Sequence, residues 1–209
     1  MKAQSTSRAG ERRNRRRQEI LNAASALFSQ HGYENVTLRA IAEELGYAHA
    51  ALYRYFPDKS SLLAEICRET FDLLTAEVDR LQTPDKNSEQ RLFDTSRGFV
   101  RFGLTHPQHF RIVFFGPENR GGVRAGEYIE EIGKPLFERL VKIFVECSEA
   151  AGLRTSNRLL DAHTWWASLF GVTQVLITSG PVPSLSAHDE IVERLLHVLW
   201  GGLKALSLD

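Results

Sequence analysis

The chain has 209 residues, 43% hydrophobic and 25% charged, an ordinary balance for a protein that buries a core in water. Formal net charge is zero, yet residues 1–59 hold ten Lys/Arg against six Asp/Glu and the remainder sixteen against twenty. A basic end on a balanced body either meets a polyanion or is only a solvated tail. Cys67 and Cys147 have no CxxC partners, which argues against a disulfide scaffold or a zinc site and suits a reducing cytoplasm.

Residues 1–16, with Arg12, Arg13, Arg15 and Arg16 beside Arg17, read as a basic arm. The polar residues Glu19, Asn22 and Ser25 that follow argue against an export signal. Ile20, Ala24, Leu27 and Phe28 form an apolar stripe at helical spacing that His31-Gly32 ends. Thr37 is placed to cap a short helix facing inward through Leu38, Ile41, Ala42 and Leu45. Gly46 ends it, and a second short helix is expected over about 48–55, with Ala48, Ala51, Leu52 and Phe56 inward and His49, Ala50, Tyr53 and Arg54 outward. Pro57 breaks the chain, and Asp58 can cap a long helix through Leu63, Ile66, Thr70, Leu74, Val78 and Leu81.

After a linker over 83–87, a helix over 88–106 presents Phe99 and Phe102 opposite a charged face, and 108–115 is a short aromatic segment. Gly-rich 116–126 reads as a loop, and the next helix turns Ile132, Leu136, Phe137, Leu140, Phe144 and Cys147 inward, with Pro135 inside it. The last two helices, about 156–179 and 188–206, differ from the rest. The first has Arg158 and Asp161 as its only full charges and is apolar nearly all round. A helix apolar on every side is buried on every side, and one small protomer cannot easily cover both faces. These two helices are therefore expected to pack against a second copy of the chain as a two-fold dimer. The stretch 162–188 carries Gln174 and Gly180-Pro181-Val182-Pro183 and is a poor membrane span. The fold class is all-α: an N-terminal three-helix helix-turn-helix domain over 17–63, then a helical body over 64–209.

Two short helices joined by a glycine turn are the geometry of a helix-turn-helix, whose second helix enters the major groove. The run Thr37-Leu38-Arg39-Ala40-Ile41-Ala42-Glu43-Glu44-Leu45-Gly46, followed by Ala51-Leu52-Tyr53-Arg54-Tyr55-Phe56-Pro57-Asp58-Lys59 and Leu62, resembles the DNA-binding domain of the TetR repressors, with Ala24, Phe28, Gly32 and Tyr33 in the same pattern. The resemblance covers about 17–63. It implies a homodimer whose last two helices form a four-helix bundle with the partner's, and a ligand pocket inside each body. It also implies that Thr37, Tyr53, Tyr55 and Lys59 clamp phosphates while Arg39, His49 and Ala50 face bases. Hydroxyls and an ammonium suit phosphate oxygens, and Arg39 can be bidentate to guanine. Two positions depart from the family: Tyr47 and Ala48 stand where Val and a capping Ser are usual, so Tyr47 is expected to add a phosphate contact. His106-Pro107-Gln108-His109-Phe110-Arg111, then Trp166 with Phe170-Gly171, resembles a C-terminal domain type found in some of these repressors, although its usual His-Gly is here Phe170-Gly171.

Aromatic residues crowd the body, either as an ordinary core or as the lining of an apolar pocket; the resemblance favours a pocket of Phe99, Phe102, Phe110, Phe114, Trp166 and Phe170, with His163 and Gln174 as polar handles. So few charges imply a small, neutral or lipophilic effector. The arginine arm either enters the minor groove or adds only salt-sensitive, non-specific affinity. No cofactor is expected, and His106 and His109 lack further ligands for a metal. With no GxSxG, HExxH or phosphate-cradling loop, an enzyme is not expected. The reading is a DNA-binding, ligand-responsive repressor; an activator, or a small-molecule carrier with a vestigial helix-turn-helix, are its rivals.

Overall fold

Glycine with φ of +80° at Gly32 and +66° at Gly46 stops the first two helices, because the left-handed backbone that closes each helix is costly for any residue with a Cβ. In a computed structural model, residues 8–115, 123–178 and 185–207 are described, and every regular element among them is helical. In chain order these are α1 (Arg8–His31), α2 (Leu38–Glu44), α3 (His49–Leu52), α4 (Lys59–Leu81), α5 (Ser88–Thr105), α6 (Pro107–Phe115), α7 (Val123–Ala150), α8 (Arg158–Thr178) and α9 (Leu185–Leu206). The turn expected around Gly180-Pro181 and most of the loop expected over 116–126 lie outside the described residues; Val123–Gly126 are already helical.

Two further expectations are corrected. The arginine arm is not an extension ahead of the first helix: from Arg8 onward it is α1 itself. The second short helix does not reach Tyr55. It ends at Leu52, and the chain continues as a tight turn in which the Arg54 and Tyr55 amides donate to the Ala51 and Leu52 carbonyls. These i→i+3 bonds tighten the backbone just before Pro57, which cannot continue a helix.

The chain forms two compact units, one of Met1–Thr70 with Gln108–Glu130 and one of Phe71–Pro107 with Glu131–Asp209. In the first, Ile20, Leu21, Ala24 and Phe28 of α1 are buried together with Leu38, Ile41, Leu52, Phe56 and Ile66. Asp58 caps α4 by accepting from the Ser61 amide at 2.6 Å, which holds its carboxyl below the usual range. In the second, Asn87 and Gln90 form a capping box at the start of α5. Its core is aromatic: Trp165 lies against Phe93, Phe144 and Trp200, and its indole N–H donates to the buried Ser96 hydroxyl at 3.0 Å.

Candidate nucleic-acid interface

Burial pins the helix-turn-helix from within. Leu38, Ile41 and Ala42 anchor α2, Leu52 and Phe56 anchor α3 and its turn, and the Tyr47 amide donates to the Ala42 carbonyl at 2.8 Å across the glycine bend. What remains outside is polar and small. His49, Ala50, Tyr53 and Arg54 are all exposed, Tyr53 at 49%, and the His49 and Tyr53 rings meet edge-on at 5.0 Å. Ala48, expected to face inward, is exposed and supplies no side-chain hydrogen bond at the start of α3.

Around α3 the remaining candidates are already engaged. Thr37 caps α2, its hydroxyl accepting from the Ala40 amide at 3.1 Å, and stays exposed. Arg39 donates through Nε to Glu43 at 2.8 Å, one helical turn on. That bond leaves the donors of the two terminal guanidinium nitrogens of Arg39 uncommitted to Glu43. Lys59 donates to the Tyr33 carbonyl at 2.7 Å and the Glu34 carbonyl at 3.4 Å, with its ammonium 4.1 Å from the Tyr33 ring centre. It therefore fastens the turn after α1 to the start of α4, with one of three ammonium protons left over. The Tyr47 hydroxyl donates to Glu19 of α1 at 2.5 Å. That hydrogen bond, with burial and the Glu19 charge, pushes the phenol pKa up against the opposing charge of Arg16. Tyr55 is half-buried beside an open cleft of about 460 Å³ lined by Arg12, Arg13, Arg16 and Arg54. Glu19 and Glu43 escaped the sequence reading. The Arg39–Glu43 pair was legible in its i,i+4 spacing; the Tyr47–Glu19 contact was not, since it joins elements 28 residues apart.

The candidate effector residues divide. Phe99 of α5 meets Phe170 at 4.8 Å and Trp166 at 6.0 Å, both on α8. On the same helix the Trp166 indole N–H and the Gln174 side-chain oxygen are buried with no hydrogen-bond partner among the described residues. Phe102 is buried with the His106 ring 4.8 Å away. Phe110 and Phe114 pair with each other at 4.7 Å and belong to the first unit. His163 does not join the Phe99 cluster: it is exposed, bonded to the Leu159 carbonyl at 2.6 Å and tilted against the Phe137 ring at 5.1 Å, because its place on α8 points it outward. No group of three metal-ligating side chains occurs among the described residues, and none of their helices is long and apolar enough to cross a membrane.

Residues 20–66 match the model of the bacterial regulatory proteins of the tetR family, and residues 92–199 match the model of the tetracyclin repressor-like C-terminal domain. The transcriptional repressor KstR of Mycolicibacterium smegmatis is 40% identical over 82 residues, a stretch that spans 39% of this chain and 40% of KstR. The transcriptional activator FasR of the same organism is 27% identical over 206 residues, 94% of this chain and 86% of FasR. The ketosteroid transcriptional regulator KstR2 of Mycobacterium tuberculosis shares the fold with a TM-score of 0.74 at 22% identity, over 90% of this chain and 94% of that one. With more than half of the chain under one family model and the helix-turn-helix under a second, this protein belongs to the TetR family of DNA-binding transcriptional regulators.

Proposed function

We propose that the protein is a ligand-responsive repressor that binds a palindromic operator as a homodimer and lets go when a small neutral or lipophilic molecule enters its body. The observation that carries this reading is the exposed set His49, Ala50 and Tyr53 on α3 and the turn that ends it, whose inner side, Leu52 and Phe56, is buried. In this reading residues 17–63 meet DNA and 64–209 sense and dimerise. Thr37, Tyr53, Tyr55 and Lys59 hold phosphates, Arg39, His49 and Ala50 face bases, and Tyr47 reaches a phosphate only by leaving Glu19. Two supports come from the body. Val175 on α8 and Val198 on α9 are 58% and 62% exposed, in line with exposed Leu160, Gly171, Gly201, Gly202 and Leu206, an uncovered apolar stripe suited to a second copy. The orphaned Trp166 donor and Gln174 acceptor beside Phe99 and Phe170 suit an apolar ligand with one acceptor and one donor of its own. Release follows if that ligand favours a dimer whose two α3 helices are wrongly spaced for the operator. The site of action is the cytoplasm, where the DNA is.

Activation is a second reading, favoured by the likeness to FasR over 94% of the chain. Selection of binding sites from random duplex DNA tests the shared core of both. A palindrome with half-sites about one helical turn apart is expected. Replacing Arg39 by Ala should then cost about 1–3 kcal/mol and relax the preference at one base pair, while Tyr53→Phe weakens all sequences alike. Absence of any enriched sequence, or full affinity in both variants, would overturn the proposal; transcription in vitro from a promoter carrying the site separates repression from activation.

A further inference from the structure

The five clustered arginines of α1 do not share one role. Arg17 is spent inside the fold, bonded to Glu65 at 3.0 Å with its guanidinium 4.9 Å from the Phe56 ring centre. Arg15 is exposed and lines no described cleft. Arg12 and Arg16 lie one helical turn apart, and together with Arg13 they form one wall of the open cleft of about 460 Å³. Its other wall is Arg54 and Tyr55, the turn that ends α3. Several cations outside this cleft are paired: Arg39, Arg68, Arg80, Lys86, Arg97, Arg139 and Lys204 each meet a carboxylate. The four cleft arginines have no carboxylate within ion-pair distance among the described residues, although Glu19 is close enough to take the Tyr47 hydroxyl.

Four guanidinium groups without a carboxylate partner, of which Arg12 also donates through Nε to the Arg8 carbonyl at 3.2 Å, converge on one cleft, repel one another and favour an anion between them. The anion they fit is a phosphodiester, since planar guanidinium forks match phosphate oxygens and a neighbouring phenol adds a donor. The cleft adjoins the exposed residues of α3 through Arg54, so a duplex seated on α3 runs past it. We propose that Arg12, Arg13, Arg16 and Arg54 with Tyr55 grip a DNA backbone phosphate flanking the base pairs that α3 meets, so that α1 lengthens the footprint of each half-site. This rests on the DNA-binding reading above. It places the arginines of α1 on the backbone beside the recognition helix, neither in the minor groove nor loose in solvent.

The test uses the full-length protein and the duplex recovered by selection, either trimmed to the palindrome or carrying half a helical turn of arbitrary sequence at each end. Wild type should prefer the flanked duplex by about 5-fold per phosphate gripped near 0.15 M salt, with a slope of log affinity against log salt steeper by about 2 for a dimer. The triple variant Arg12→Ala/Arg13→Ala/Arg16→Ala, with its helix content checked by circular dichroism, should bind both duplexes with the affinity of wild type for the trimmed one. Arg15→Ala, which removes one positive charge from the same helix outside the cleft, should keep the preference for the flanked duplex. Equal wild-type binding of the two duplexes, or a triple variant that keeps the preference, overturns the proposal alone. So does a triple variant altered only in its binding of inorganic polyphosphate, or an Arg15→Ala protein that loses as much as the triple variant. Failure to recover any selected duplex overturns the DNA-binding reading and this proposal with it.

Discussion

Ala48 stands where α3 would gain most from a hydroxyl. Its backbone is extended, with φ −62° and ψ 133°, and no side chain meets the first free amides of the helix. Ala48→Ser should add the missing bond and raise stability by about 1 kcal/mol, read as a higher urea midpoint at unchanged slope. An unmoved midpoint would mean that Leu52 and Phe56 alone hold this four-residue element. At the same scale, sequence reasoning found the exposed residues of α3 and missed how occupied their neighbours are. Lys59 and Tyr47 read as free donors from their residue types. Both proved fastened to groups on other elements, the carbonyls of Tyr33 and Glu34 and the carboxylate of Glu19. Nothing local in the sequence reports a partner brought close only by the packing of α1 on its neighbours.

At the scale of elements, two contacts set how the helices of the second unit fit. A Cβ on Gly133 of α7 would stand 2.7 Å from the Phe71 ring of α4, so this glycine is a packing requirement and not a flexible point. Ala favours a helix over Gly by about 1 kcal/mol, but overpacking against a buried ring costs about 1–3 kcal/mol. Gly133→Ala should therefore lower stability in chemical denaturation, and Phe71→Leu in the same chain should recover part of the loss. A gain from Gly133→Ala alone would show that the ring yields freely.

The second contact ties α5 to α9: Arg97 pairs with Glu193 and, at 2.9 Å, with Asp94, which Lys86 also meets at 2.8 Å. The Arg97 hydrogen bond draws the Glu193 carboxyl below its ordinary 4.5; burial opposes the same fall at Asp94, but the two cations prevail. Carboxylates with depressed folded values stabilise the native state above the ordinary value and lose that contribution as pH falls through the folded one. Arg97→Ala should be less stable than wild type at neutral pH, with the difference shrinking below about pH 4.5 in a urea series across pH. A difference that does not change with pH would assign the effect to lost packing of the arginine stem.

At the scale of the whole molecule the informative feature is what one protomer leaves bare. α8 was read as apolar on all sides, and one side is indeed taken up by Trp165, Trp166 and Leu169, while Leu160, Ala167, Gly171 and Val175 stay exposed. On α9, Val198, Gly201, Gly202 and Leu206 continue that bare surface, and a Cβ at Gly171, Gly201 or Gly202 would meet nothing within 4 Å of its own chain. Such a face costs solvation in a monomer and gains by pairing. On the homodimer proposed above, wild type should sediment as a dimer, and the double variant Val175→Asp/Val198→Asp as a monomer with helix content retained and operator affinity lost with the second half-site. A variant that still sediments as a dimer would place the interface elsewhere.

The all-helical class, the presence of the helix-turn-helix and the apolar character of the last helices were determined by the sequence alone, because each rests on spacing within one segment: helical stripes, a capping threonine, glycines at left-handed turns. The tertiary structure decided the rest. It made α1 out of the arginine arm, turned His163 away from Phe99 and left Trp166 without a hydrogen-bond partner among the described residues while Trp165 found Ser96. It also drew Arg12, Arg13 and Arg16 to the same cleft as Arg54. Each of these depends on which surfaces of distant segments are pressed together, and the energies that choose among such pairings belong to the packed molecule rather than to any stretch of chain.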